Sequence, residues 1–217
     1  MKLKHVALAG SVLIVSACSI GRPMPTATTY SIEPPPAGVD ALKPSHPERL
    51  RVERVRVAAP YDRPALVYRL SAVRYVLDPY HAFVADPGPM LTNRIAEWLT
   101  AAGRFKAVDG PGGAAPAAWV LEASVTELYG DFEAGGDNPA AVVSIRLTLV
   151  DEGSARPKVA YERSLSRRVP VSHATPEALV SGYGMALTDI LTQFSNELPD
   201  VRLPAETSPT PVRGSRD

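Results

Sequence analysis

Apolar and polar positions alternate at a period of two through most of the middle of this chain, and at a period of 3.6 in two stretches. The first alternating stretch begins at Leu50. Leu50 and Val52 share one phase and Val55 and Val57 the other, so a bulge is expected near Glu53–Arg54. A Pro60-Tyr-Asp-Arg-Pro64 turn follows, because proline cannot donate to a sheet ladder. Leu66 to Leu70 and Val73 to Leu77 predict a hairpin turning at Ser71–Ala72, closed by Asp78-Pro79. Thr28 to Ile32 predicts a short edge strand, and Phe105 to Val108 another short strand. Trp119 to Phe132, Ala140 to Val150 and Lys158 to Val169 are three longer runs. The first changes phase near Glu127, and short Gly, Asp, Asn and Pro connections make the three an antiparallel meander.

The 3.6-residue period marks two helices. One runs from Pro87, with Asp86 at its N-cap and Met90, Leu91, Ile95, Trp98, Leu99 and Ala102 on one face, to a stop at Gly103. The other is capped by Thr175, carries Pro176 and Glu177 in its first turn, and ends before Pro199. Its apolar face holds Leu179, Tyr183, Ala186, Leu187, Ile190, Leu191, Phe194 and Leu198. The expectation is a single α+β domain over residues 48–198, a mostly antiparallel sheet with two main helices packed on one face.

The ends of the chain read differently. Residues 1–17 have a secretory-signal pattern: Lys2 and Lys4, an apolar core from Val6 to Val15, then Ser16 and Ala17. That core falls short of the about 20 residues a membrane-spanning helix needs. Val15-Ser16-Ala17-Cys18 has the form of a bacterial lipobox, so Cys18 is the expected lipidation site. Cys18 is the only cysteine, which excludes an intrachain disulfide. Acyl chains on Cys18 bury at about 0.8 kcal/mol per CH₂, and more than one chain gives a stable anchor. By the sorting rule for bacterial lipoproteins, Ser19 in place of Asp points to the outer membrane of a Gram-negative cell, facing the periplasm. Residues 18–47 are Pro-rich and read as a tether, and 199–217 as a disordered tail.

Charge and motif content narrow the function. Removing Lys2 and Lys4 with the signal leaves 21 of the 23 basic residues against 23 acidic ones. A nucleic-acid partner therefore has no electrostatic support. His5 lies in the signal, His46 in the tether, and His81 and His173 in loops without spaced partners. No HExxH, CxxC, GxSxG or P-loop is present, so no catalytic residue, cofactor or metal is assigned. Asp62, Asp78 and Asp86 stand beside prolines, where turn and cap chemistry accounts for them. Arg163 and Arg167, in phase with Val159, Tyr161, Leu165 and Val169, interrupt an otherwise apolar face. They read either as charge guarding an edge strand or as a partner-contact surface.

Several of these segments together resemble the ABC-type transport auxiliary lipoproteins, the PqiC-like outer-membrane lipoproteins of MCE-type lipid transport systems. The residues are Tyr30-Ser-Ile-Glu-Pro34 after the lipobox, Val55 to Pro64 followed by Leu66-Val-Tyr-Arg69, and Tyr80-His81-x-Phe83 leading into Pro87-x-Pro89. Phe83 departs from the tryptophan expected there but keeps the aromatic character. The resemblance implies a non-enzymatic auxiliary component that partners an MCE-domain periplasmic protein with its inner-membrane permease and ATPase. Such an assembly moves lipid, phospholipid first, between the two membranes. It leaves a homo-oligomer open and makes Tyr61, Arg63, Tyr68 and Tyr80 the expected contact residues, hairpin packing being their other role. The alternative is a structural or pilot lipoprotein of another outer-membrane complex. Cys18→Ala should move the protein from the membrane to the soluble fraction with its circular dichroism unchanged. A variant that stays membrane-bound after fractionation would overturn the anchor.

Overall fold

The computed structural model describes residues 26–36, 46–133 and 138–198. The signal, Cys18, most of the expected tether and the tail lie outside them. In chain order the elements are β1 (Thr28–Tyr30), β2 (His46–Val52), β3 (Arg56–Val57), β4 (Ala65–Ser71), β5 (Arg74–Phe83), α1 (Pro87–Ala102), β6 (Phe105–Asp109), β7 (Trp119–Asp131), β8 (Ala140–Asp151), β9 (Lys158–Pro170) and α2 (Pro176–Glu197). The nine strands form one open mixed sheet, covered by the two helices in an α+β arrangement.

The three longest ladders, β4–β5, β7–β8 and β8–β9, are antiparallel. The pairings β1–β5, β2–β6, β2–β7, β3–β7 and β4–β7 are short and parallel. Since β8 occupies one edge of β7 over its whole length, β2, β3 and β4 share the other edge in succession. The path β1-β5-β4-β7-β8-β9 therefore places β1 and β9 on opposite margins of the sheet.

Two phase changes in the sequence are real irregularities. Val52 pairs with Leu121 and Arg56 with Ser124, so one extra residue is inserted between β2 and β3. The amide of Val55, orphaned by that break, donates to Thr92 Oγ1 of α1 at 2.9 Å, and Thr92 Oγ1 donates to the Gly88 carbonyl at 2.8 Å. In β7 the register slips at Thr126, between Val125 and Glu127. Before the slip Leu121, Ala123 and Val125 are buried core residues, and after it Leu128 takes over. Gly130 continues that face: a Cβ there would stand 2.8 Å from Leu179 of α2.

Two expectations change. Asp78-Pro79 does not close the hairpin. Strand β5 runs on to Phe83 through a wide bulge, with Val67 opposite Leu77 but Ala65 opposite Ala82. The Asp78 carboxylate supplies the acceptors that the interrupted ladder lacks. The folded body also begins before residue 48. Ile32 is 1 % exposed in the core, Glu33 pairs with Arg94 of α1, and Thr188 of α2 donates to the Pro35 carbonyl at 2.9 Å. His46, read as tether, is buried at the start of β2, its ring stacked on Phe105.

Helix α2 is built as its sequence suggests, with Thr175 Oγ1 accepting from the Ala178 amide and Leu179, Tyr183, Leu187, Ile190 and Phe194 buried on the sheet. Gly184 admits the segment after β1, since a Cβ there would lie 2.5 Å from the Glu33 carbonyl oxygen. Gly184→Val should therefore lower the urea midpoint by an amount equivalent to about 1–3 kcal/mol, the usual range for overpacking. An unchanged midpoint would mean that residues 30–35 do not seat on α2.

Candidate functional site: an open sheet face between two margins

The slip in β7 turns Tyr129 and Asp131 to the face away from the helices. Asp131 stands opposite Arg69 of β4, whose guanidinium grips it with two bonds, Nε to Oδ1 at 3.1 Å and Nη2 to Oδ2 at 2.7 Å. From β9, Arg168 Nη2 reaches the same Oδ2 at 3.1 Å and the Asn138 carbonyl at 2.8 Å. The Arg69 hydrogen bond holds the Asp131 carboxyl below the usual carboxylate range; burial opposes it, and Arg168 adds to the depression. Arg69 also lies 5.3 Å from the centre of the Tyr129 ring. Tyr75 meets that ring edge-on at 5.5 Å, and Tyr61 stacks beside it at 6.1 Å.

A second cluster fills the bulge of β5. Tyr68, paired with Gly130, stacks on Phe132 at 5.1 Å and donates its hydroxyl to Asp78 Oδ2 at 2.7 Å. Asp78 Oδ2 also meets His81 Nδ1 at 2.8 Å, while Oδ1 accepts from the amides of Tyr80 and His81. His81 is thus on a strand with a partner, contrary to its reading as a lone loop histidine. The loop closure that brings Asp78 beside it is backbone geometry, which residue spacing alone did not reveal. Burial pushes the Asp78 carboxyl up, but the hydrogen bonds from Tyr68, Tyr80 and His81 outweigh it and hold it low. With two donors on each oxygen, the carboxylate is a saturated acceptor that organises the bulge. Burial and the bond to Asp78 push the Tyr68 hydroxyl well up. Nearby, Tyr30 donates to Glu177 Oε1 at 2.8 Å, and burial followed by that bond raises Tyr30 to about 12.

The far margin carries the arginines of β9. They interrupt the apolar face because they reach over the sheet edge to the polar side of α2. Arg163 Nε lies 3.9 Å from Glu197 Oε2, and Arg167 bonds Gln193 and the Ser166 carbonyl. Between them and the helix runs a shallow groove of about 480 Å³ lined by Arg167, Asp189, Thr192, Gln193, Asn196 and Glu197.

The six expected contact residues therefore do not form one site. Tyr61 is 8 % exposed and packed, Tyr68 is committed to Asp78, Arg63 and Tyr80 are exposed, and Arg163 and Arg167 sit on the opposite margin. Arg69 was noted only as part of the Leu66–Arg69 segment, and Tyr75, Tyr129 and Asp131 were not singled out from the sequence, although the phase change at Glu127 already implied that Tyr129 and Asp131 turn away from the helix-facing side. Among the described residues no group of three or more His, Cys, Asp or Glu side chains could hold a metal. Asp131 gives this largely buried cluster a pH signature. Its folded pKa lies below the unfolded value of about 3.9, so its stabilisation is present above that value and is lost as pH falls through the depressed folded value. Asp131→Asn should cost about 1–3 kcal/mol at neutral pH, reduced from the buried-pair range because Arg168 is half exposed. It should also flatten the acid limb of stability measured by urea titration below about pH 4. An equally steep limb in the variant would exclude Asp131 as its source.

The model of the ABC-type transport auxiliary lipoprotein component matches residues 30–195, from the end of β1 to the last turns of α2. No curated protein matches the chain. Among solved structures, the chain is similar to the protein XCC0632 from Xanthomonas campestris, with 19 % identity over 78 % of this chain and 90 % of that one, at a TM-score of 0.62. It is also similar to an uncharacterized protein, with 17 % identity over 79 % of this chain and 98 % of that one, at a TM-score of 0.61. Identities this low establish a shared fold, and the family match spans nearly all of the folded body. The chain belongs to the ABC-type transport auxiliary lipoprotein family.

Proposed function

We propose that this protein is a non-catalytic, outer-membrane-anchored lipoprotein that faces the periplasm and docks an MCE-domain protein. The inner-membrane permease and ATPase of the same system would drive lipid, phospholipid first, along that path. The observation that carries this reading is the family match over residues 30–195 in a chain whose Cys18 ends a lipobox. An auxiliary component of a transporter needs a fixed position and a recognition surface, and no nucleotide site of its own.

The fold supports a division of labour between the two sheet margins. The chain from Cys18 enters the body at β1, and β9 with α2 lies at the other margin. The β9–α2 groove, with Arg163 and Arg167 held in place by Glu197 and Gln193, is the recognition surface that points away from the anchor. Arginine anchors of this kind are frequent interface residues. Arg63, exposed in the Pro60–Pro64 turn, is a further contact.

Crosslinking of the tagged lipoprotein in native membranes, read by mass spectrometry, should recover an MCE-domain protein with its permease and ATPase. Arg163→Glu combined with Arg167→Glu should abolish that recovery while the protein stays folded and membrane-bound. Recovery of only a secretin, a barrel or cell-wall proteins would replace this reading with the pilot or structural one.

A further inference from the structure

We infer that the exposed side of β5 rests on the lipid surface that holds Cys18, with Tyr75, Leu77, Tyr80 and Val84 in the headgroup region. The inference rests on the reading of Cys18 as lipidated. Among the described residues, the exposed large hydrophobic side chains are Val73, Tyr75, Leu77, Tyr80, Val84, Val159 and Met185. The first five all fall on β5 and its two ends, whereas Val159 and Met185 stand apart on β9 and α2. Val73 is 91 % exposed and Val84 64 %, so this is uncovered apolar surface. Such a concentration on one strand calls for an occupant.

The path of the chain identifies that occupant. Strand β1 lies against β5 in parallel, with Thr28 beside His81 and Tyr30 beside Phe83. Followed back toward Cys18, β1 therefore points along β5 from His81 toward Tyr80, Leu77 and Tyr75. Residues 19–27 are the whole link between Cys18 and β1. Even fully extended, the ten steps from Cys18 to Thr28 span no more than about 33–36 Å. The 10 residues of β5 would span about 33 Å at ordinary strand rise, and the bulge shortens that. Because Ile32 and the residues after it are packed on α1 and α2, the free link is far shorter than the 18–47 tether expected from composition. A lipidated Cys18 thus keeps this margin of the sheet close to the membrane.

The chemistry of the strand suits an interface. Tyr75 and Tyr80 each present an apolar ring with a polar tip, the kind of side chain enriched at the headgroup level. Arg74 is exposed beside Tyr75 and offers a cation to anionic headgroups. The one acid of β5, Asp78, is 11 % exposed and bonded to Tyr68 and His81, so it presents no charge to the lipid. The acyl chains supply retention and the β5 side chains set orientation, which leaves the β9–α2 margin directed outward.

The test uses full-length acylated protein in phospholipid vesicles containing lipid brominated at the headgroup end of its acyl chain, which quenches tryptophan that reaches the headgroup–acyl boundary. The native Trp98 and Trp119 are 4 % and 3 % exposed and serve as an internal reference. Added emission from Tyr80→Trp, and separately from Leu77→Trp, should be quenched relative to the same protein in unbrominated vesicles. Emission added by Ser164→Trp on β9 should not be. If Cys18 is acylated by mass spectrometry and the β5 tryptophans are quenched no more than Ser164→Trp, the β5 inference is overturned and the anchor stands. A contact with a second copy or a protein partner at β5 would give that result. If Cys18 carries no acyl chain, the anchor reading fails and this inference fails with it.

Discussion

Each position along β7 can face the helices or turn away from them, and the one-residue slip at Thr126 decides which. Without the slip, Tyr129 and Asp131 would point into the space where Leu179 of α2 packs, and a carboxylate would be buried among aliphatic side chains. With it, Gly130 meets Leu179 and Asp131 is delivered to Arg69 and Arg168. Burying a lone carboxylate is costly, whereas the same group bonded to two guanidinium groups is satisfied. The bulge therefore lets one strand serve an apolar core along one face and an ionic cluster along the other. It also makes room on the second edge of β7, where β4 can join at Gly130 and Asp131 after β2 and β3 have ended.

The sheet that results has unlike margins. At one, β1 and β5 combine the entry of the chain with exposed aromatic and aliphatic side chains, and the Asp78 carboxylate is turned inward to hold the bulge together. At the other, β9 is guarded by charge and hydroxyls, with arginines braced against α2. Charge along an edge strand discourages indiscriminate pairing with other chains, and braced arginines can still recognise a complementary surface. On the proposed function, this asymmetry would let one margin be held at a membrane while the other stays available to a partner.

Local periodicity made the two helices, the turn of the β4–β5 hairpin, the three-stranded meander and the irregularities near Glu53–Arg54 and Glu127 legible, since each depends on neighbours close in the chain, whereas the bulge of β5 was not. Thr175, Pro176 and Gly103 act where their local chemistry suggests. The parallel pairings of β2, β3 and β4 with β7 were not legible, because they join segments separated by α1, and hydrophobic alternation does not name a strand's partner. The same limit hid the candidate site. Arg69, Asp131 and Arg168 are far apart in sequence, and no spacing rule connects them.

What the sequence by itself determined is the class of protein: an α+β lipoprotein body with no catalytic motif, recognisable as a transport auxiliary from short segments such as Tyr30 to Pro34 and Val55 to Arg69. What only the tertiary structure decided is which residues are presented and which are consumed. Tyr61, in the proline turn, and Tyr68 belong to packing and hydrogen bonding, while Tyr75 and Leu77 remain at the surface, although Tyr68, Tyr75 and Leu77 lie in similar apolar runs. The physical reason is that alternation assigns a side chain to one of two faces, and exposure depends on whether a distant element covers that face. Proline content likewise suggested a tether over residues 18–47, and within that range Ile32 and His46 are buried in the fold.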